Sequence, residues 1–253
     1  MVDALPPGSA GAGALADPGL TVAMHMSDGL VNAPTAAVFG LVAAIGLAIS
    51  ASRARSDLDE RTAPMAGLVT AFVFAVQMIN FPILPGASGH LLGGALVAIL
   101  VGPWVGSLCI AIVLVVQALL FADGGLTALG TNITNMALVG TFTGFAVAYT
   151  LRRFATRSRR ALLTVSFVAA LVNTVVASLA FVLEYAVGGA GGAGLGTVFS
   201  LMVGLHVLVG IGEGIITAAT VGAVAAIRPD LIYLLRGTAA PLQVRTGITG
   251  GRA

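Results

Sequence analysis

Long apolar runs, broken by short polar or glycine- and proline-rich stretches, repeat along almost the entire chain. The pattern predicts seven helices. They cover residues 34–50, 65–80 and 91–101, a fourth that follows the Gly102-Pro103 break and reaches Ala122, then 133–151, 162–187 and 197–227. Several of these runs approach the length of about 20 apolar residues that a helix needs to cross a bilayer. In the first, Ala36, Gly40, Ala44 and Ala48 stand four apart and form one smooth stripe. Such a stripe serves either packing within the protein or docking of another membrane subunit. Residues 81–89 hold Pro82, Pro85, Gly86 and Gly89 and are not expected to be regular helix. At membrane depth such backbone has to be buried in protein or line a cavity, because its polar groups need partners. This stretch delivers His90, and residues 123–132 form a second glycine-containing loop.

Composition turns the pattern into a class. The 253 residues are 58% hydrophobic and only 9% charged, with 34 glycines. A soluble domain of this length carries far more charge, so the expected fold is an all-α membrane protein whose main contact is the lipid bilayer. Orientation follows from the arginines. They cluster at 52–64 (Arg53, Arg55, Arg61), at 152–160 (Arg152, Arg153, Arg157, Arg159, Arg160) and beyond residue 227. Basic loops stay on the cytoplasmic side. Seven helices then thread with the N-terminus outside and the C-terminus cytoplasmic. Residues 1–23 contain no basic residue and read as a disordered tail. The alternative is that Met24 is the true start, or the N-terminus after processing. Residues 24–227 form the membrane domain and 228–253 a cytoplasmic polar tail.

Several function classes drop out. All twelve basic residues are arginine, so there is no P-loop lysine for ATP hydrolysis and no lysine for a Schiff base. The G-A-G-G-A-G run at 189–194 has the glycine spacing of a dinucleotide site, but a predicted membrane helix precedes it, not a strand. The five-arginine loop is read as a topology signal and no nucleic-acid partner is expected. Cys109, the single cysteine, lies in an apolar run and is read as a small core residue. No nucleophile motif or H-E-x-x-H supports an enzyme.

What remains is metal chemistry. His25 and His90 fall on the same outer face in this topology, and neutral imidazole is a common transition-metal ligand. If the chain begins at Met24, its amine, the His25 amide nitrogen and the His25 imidazole form a compact chelate, and His90 supplies a fourth nitrogen. Four nitrogens near a plane suit Ni(II), Cu(II) or Co(II) better than Zn(II). Asp28, Asn80, Asn132 and Asn135 are candidates to line the outer cavity and support these ligands. His206 and Glu213 stand seven apart on one face of the last helix. Ionisable groups inside a membrane are functional candidates by default, either on the ion path or in a helix–helix hydrogen bond. Glu184, near the outer end of the sixth helix, is read as a solvated end group.

The motif M-H-M-S-D-G-L at 24–30 resembles the M-H-I-x-[DE]-G opening of the CbiM/NikM family. These are the substrate-capture components of cobalt and nickel energy-coupling-factor transporters. The resemblance continues through G-A-S-G-H-L-L-G-G-A-L (86–96), G-P-W (102–104), Q-A-L-L-F-A-D-G-G-L-T-A-L-G-T-N (117–132) and N-M-A-L-V-G (135–140), and covers about residues 24–225. It implies that Met24, His25 and His90 bind Co2+ or Ni2+ as transported substrate, with no cofactor. It also implies a transmembrane coupling subunit, two cytoplasmic ATPase subunits and a small accessory membrane subunit in the cell membrane, supplying cobalt for cobalamin synthesis. Two features depart from the family. The second histidine stands in G-H-L-L-G where S-H-P-T-G is common, and a retained tail would leave Met24 without a free amine. The competing reading is a passive channel or secondary transporter, which predicts a polar series along several helices.

Overall fold

A computed structural model describes residues 25–60, 62–79, 81–84, 87–190 and 192–237. An extended segment from His25 leads into α1 (Ala33–Ala54). This helix starts where the Asn32 side chain accepts the Thr35 N–H and Pro34 occupies the first turn. α2 (Thr62–Gln77) is capped in the same way by Asp59, which accepts the Thr62 N–H at 2.6 Å. The proline- and glycine-rich stretch that follows is non-helical, as expected. β1 (Phe81–Leu84) and β2 (Ala87–Gly89) pair antiparallel, with Phe81 opposite Gly89.

α3 (Gly94–Val101) begins three residues later than the apolar pattern predicts. The run is apolar from Leu91 on, but Leu92 and Gly93 give their amides to a side chain from elsewhere, and Gly93 turns with φ +78°. All eight residues of α3 are buried, and α2, α4, α6, α8 and α9 pack around it. At 1.5 Å per residue it rises only about 12 Å, so it is an internal element and not a span. Gly102 (φ +89°) makes the break to α4 (Pro103–Leu120), and a Cβ there would meet the ring of Tyr233.

The predicted loop 123–132 is shorter than expected. α5 (Leu129–Asn132) already includes Asn132. It runs on as a π-helical stretch (Ile133–Gly140) and then as α6 (Thr141–Thr150). α7 (Arg152–Ala155) is one turn in the arginine-rich loop. α8 (Arg159–Gly188) starts at the Ser158 cap, and α9 (Leu195–Ile227) closes the helical body. α8 and α9 pack along much of their length. Gly210, Gly214 and Gly222 lie directly against Leu171, Phe167 and Leu163, so no Cβ fits at those positions.

Among the described residues α1, α4, α8 and α9 are long and apolar enough to cross a membrane. α1 exposes Val38, Leu41, Val42, Ile45 and Ile49, a surface suited to lipid. Its small-residue stripe divides. Gly40 is packed tightly against Gly130 of α5, whereas Ala44 and Ala48 are exposed.

Candidate metal centre

The centre forms where the strap from His25 to Asn32 is held between two loops. The Met26 N–H donates to Asn132 Oδ1 at 2.7 Å, and Asn132 Nδ2 donates back to the Met26 carbonyl at 3.1 Å. Gly125 N–H also donates to that carbonyl. Asp28 accepts from the backbone N–H and the hydroxyl of Thr127, which holds its carboxyl below the usual range. On the other side Ala190 N–H donates to Leu30 O and Asn32 N–H to Gly188 O. Gly125 has to be glycine, since a Cβ there would run into Asp28.

This clamp buries His25, which is 6% exposed, against His90, which is 1% exposed. Their ring centroids are 4.4 Å apart. His25 Nδ1–H donates to Asp123 Oδ1 at 3.1 Å, and His90 Nδ1–H donates to the Leu91 carbonyl at 3.0 Å. Each Nδ1 therefore carries the proton and each Nε2 keeps a bare lone pair. Both Nε2 atoms are buried without a hydrogen-bond partner. Buried polar atoms are nearly always satisfied, so two bare imidazole nitrogens in contact form an electron-pair donor site. A carboxylate behind a histidine is the usual support for metal ligation, since it fixes the tautomer and raises the basicity of the ring. The partly exposed Asp123 carboxyl is held below its ordinary range, first by its hydrogen bond with His25.

The His90 side is anchored from the interior. Glu213 of α9 accepts four hydrogen bonds, from the amides of Leu92 and Gly93, from Asn173 Nδ2 and from Thr174 Oγ1, at 2.8–3.1 Å. Gln77 Nε2 donates to Leu92 O at 2.6 Å. Glu213 is thus fully engaged at the start of α3, two residues past His90. Asn135 Nδ2 donates to Glu184 Oε2 at 2.6 Å inside the bundle. Glu184 is buried, not solvated as its position near a helix end suggested, because the strap and its contacts at Gly188–Ala190 cover that end of α8. His206 is buried on α9, with Nδ1–H donating to Met202 O one turn back.

The structure therefore brings His25, His90, Asn132 and Asp28 into one corner. It places Glu213 behind His90, and Asn135 and His206 in the interior. Met24 and Asn80 lie outside the described residues. Among the described residues no cluster of three or more His, Cys, Asp and Glu side chains could hold an ion, so the two imidazoles need further donors. Asp123, Thr127, Gln77, Asn173 and Thr174 were missed from sequence. Only Asp123 carried a signal there, as the one acidic residue between Phe121 and Asn132.

Fold and site together define a helical membrane protein that presents a buried pair of neutral imidazole donors. A sequence model described as "cobalt uptake substrate-specific transmembrane region" (CbiM) matches residues 25–231. The chain belongs to this CbiM family. It is 40% identical over 83% of its length to a putative fused nickel transport protein NikMN of Archaeoglobus fulgidus, covering 68% of that protein. It is 30% identical over 84% of its length to the cobalt transport protein CbiM of Sorangium cellulosum, covering 96% of it. A crystal structure of a transition metal transporter superposes with a TM-score of 0.73 at 29% identity, over 84% of this chain and all of that one. The family is one of metal transport proteins, not enzymes.

Proposed function

We propose that the protein captures Co2+ or Ni2+ on the outer face of the plasma membrane and passes it inward. The observation that carries this reading is the pair of buried, bare Nε2 atoms on His25 and His90. These two nitrogens bind the ion. The amide nitrogen of His25 and the amine of Met24, in a chain that starts at that residue, complete the nitrogen set. Imidazole and amine donors with nearly planar geometry select late first-row metals over Mg2+ and Ca2+, which require oxygen. The names of the relatives, cobalt and nickel transport proteins, support the same choice.

In this reading the chain crosses the membrane seven times, with its N-terminus outside and its C-terminus cytoplasmic. It is the substrate-specific subunit of an energy-coupling-factor transporter. A transmembrane coupling subunit and two cytoplasmic ATPase subunits supply the energy, a small accessory membrane subunit assists, and the cobalt feeds cobalamin synthesis. A passive channel is less well supported, because Glu213 is saturated by four donors and has no oxygen left for an ion.

The test is metal content and intact mass on protein purified from its own membranes. The expectation is one equivalent of Co or Ni on a chain beginning at Met24. Affinity should fall by at least about 100-fold in His25→Ala and in His90→Ala, the upper end of the loss seen for groups that merely support ligands. Metal binding that survives both substitutions would overturn the reading.

A further inference from the structure

The chain has three histidines, and all three are built the same way. In His25, His90 and His206 the Nδ1–H is held by an acceptor, and the Nε2 is buried with no partner. The first two form the capture pair. His206 is on a different element, α9, and is only 2% exposed.

A packing role does not account for it. An imidazole that ties two helices together spends its polar atoms on the neighbouring helix. His206 instead turns Nδ1–H back to Met202 of its own helix and leaves Nε2 bare among buried atoms. A buried, unpaired polar nitrogen is unfavourable. It is kept where something binds to it part of the time. His206 also lies within electrostatic reach of His90. It does not join the capture pair, since no three metal-ligating side chains cluster among the described residues.

α9 ties the two places together mechanically. Glu213, two turns below His206, holds the amides of Leu92 and Gly93 and so fixes the backbone that carries His90. One rigid helix thus sets both the position of His206 and the anchor of His90.

Resting on the metal-capture reading, we propose that His206 is an inner metal ligand that receives Co2+ or Ni2+ from the capture pair, with His90 as the shared donor during transfer. The ion then exchanges the His25 nitrogen for the His206 nitrogen and keeps His90, so it is never stripped of imidazole inside the membrane. The step is ligand exchange alone, with no change of charge or oxidation state.

The experiment compares His206→Ala, His206→Gln and His206→Cys in the complete transporter. Equilibrium Ni2+ and Co2+ binding is measured on the purified chain, and uptake of the radioactive ions is measured in cells. Gln keeps a donor for Met202 O but has no imidazole nitrogen, while Cys restores a soft ligand. Capture should stay within about threefold of wild type in all three, less than the loss seen for capture-site support. Uptake should fall about tenfold or more in Ala and Gln and partly recover in Cys. Uptake near wild type in Gln, or Cys no better than Gln, overturns the proposal. Loss of capture in Gln also overturns it, because His206 would then belong to the capture site or to the fold. A wild-type chain that binds neither metal would sink the capture reading itself, which a failed relay alone would not do.

Discussion

His25 and His90 present the same atom to the same place but are held in opposite ways. His25 sits on an extended strap, fixed by side chains and loops at the outer end of the protein. Its ring is oriented by Asp123, a partly exposed carboxylate. His90 follows a hairpin and precedes a buried helix, and its ring is oriented by the carbonyl of the next residue. Behind it, Glu213, Gln77, Asn173 and Thr174 form a buried network that leaves no Glu213 oxygen without a donor. The outer ligand is set by contacts that water and pH can reach. The inner one is set by contacts that only a rearrangement of the helices can change. A transporter has to admit an ion from outside and then let go of it inward, and this asymmetry separates the two tasks.

The comparison breaks most severely on the inner side. Glu213→Ala leaves two amides, one Asn and one Thr without their acceptor. At about 1–3 kcal/mol per buried unsatisfied donor, the loss is at least about 4 kcal/mol. Thermal unfolding in detergent should show it even without metal, and metal affinity should fall with it. Stability near wild type would mean the network relaxes, and His90 is not held from below.

On the outer side Asn132→Ala removes both hydrogen bonds to Met26. The cost should be about 1–3 kcal/mol in apo stability and roughly 10- to 100-fold in metal affinity. An unchanged affinity would show that the strap is placed by Asp28 and Thr127 alone.

Asp123→Asn sharpens the contrast further. An amide can turn its NH2 towards Nδ1 and favour the tautomer that protonates Nε2. Affinity should fall about tenfold with little change in apo stability. The smallest effect is acid sensitivity. The Asp123 carboxyl is lowered from its ordinary 3.8, chiefly by His25. Its contribution to holding the strap is therefore fully present above about pH 4 and is lost as pH falls through the lowered value. Metal binding fails earlier, as the imidazoles protonate around their ordinary pKa of about 6.5. Apo stability followed by calorimetry between about pH 3 and 7 should show the first loss, and metal titrations at the same pH values the second.

Much of this was legible in the pattern of apolar residues. The helices α1, α4, α8 and α9 came out close to their observed bounds, because long apolar runs have one way to satisfy their backbone in a membrane. The break before His90 was visible in its prolines and glycines. Other features were hidden. α3 starts late because a carboxylate from 120 residues away takes its first amides. Glu184 is buried because the strap near the start of the chain covers the end of its helix. The π-helical stretch at Ile133–Gly140 left no mark on the apolar spacing.

The sequence by itself determined that this chain is a helical membrane protein, which residues are capable of binding a metal, and that it carries no nucleotide machinery of its own. These follow from composition and local pattern, where each residue's chemistry acts alone. Only the tertiary structure decided that His25 and His90 stack at 4.4 Å, which nitrogen each one leaves bare, and that Glu213 anchors and does not conduct. Those facts depend on hydrogen bonds between residues far apart in the chain, and no local pattern encodes such partners.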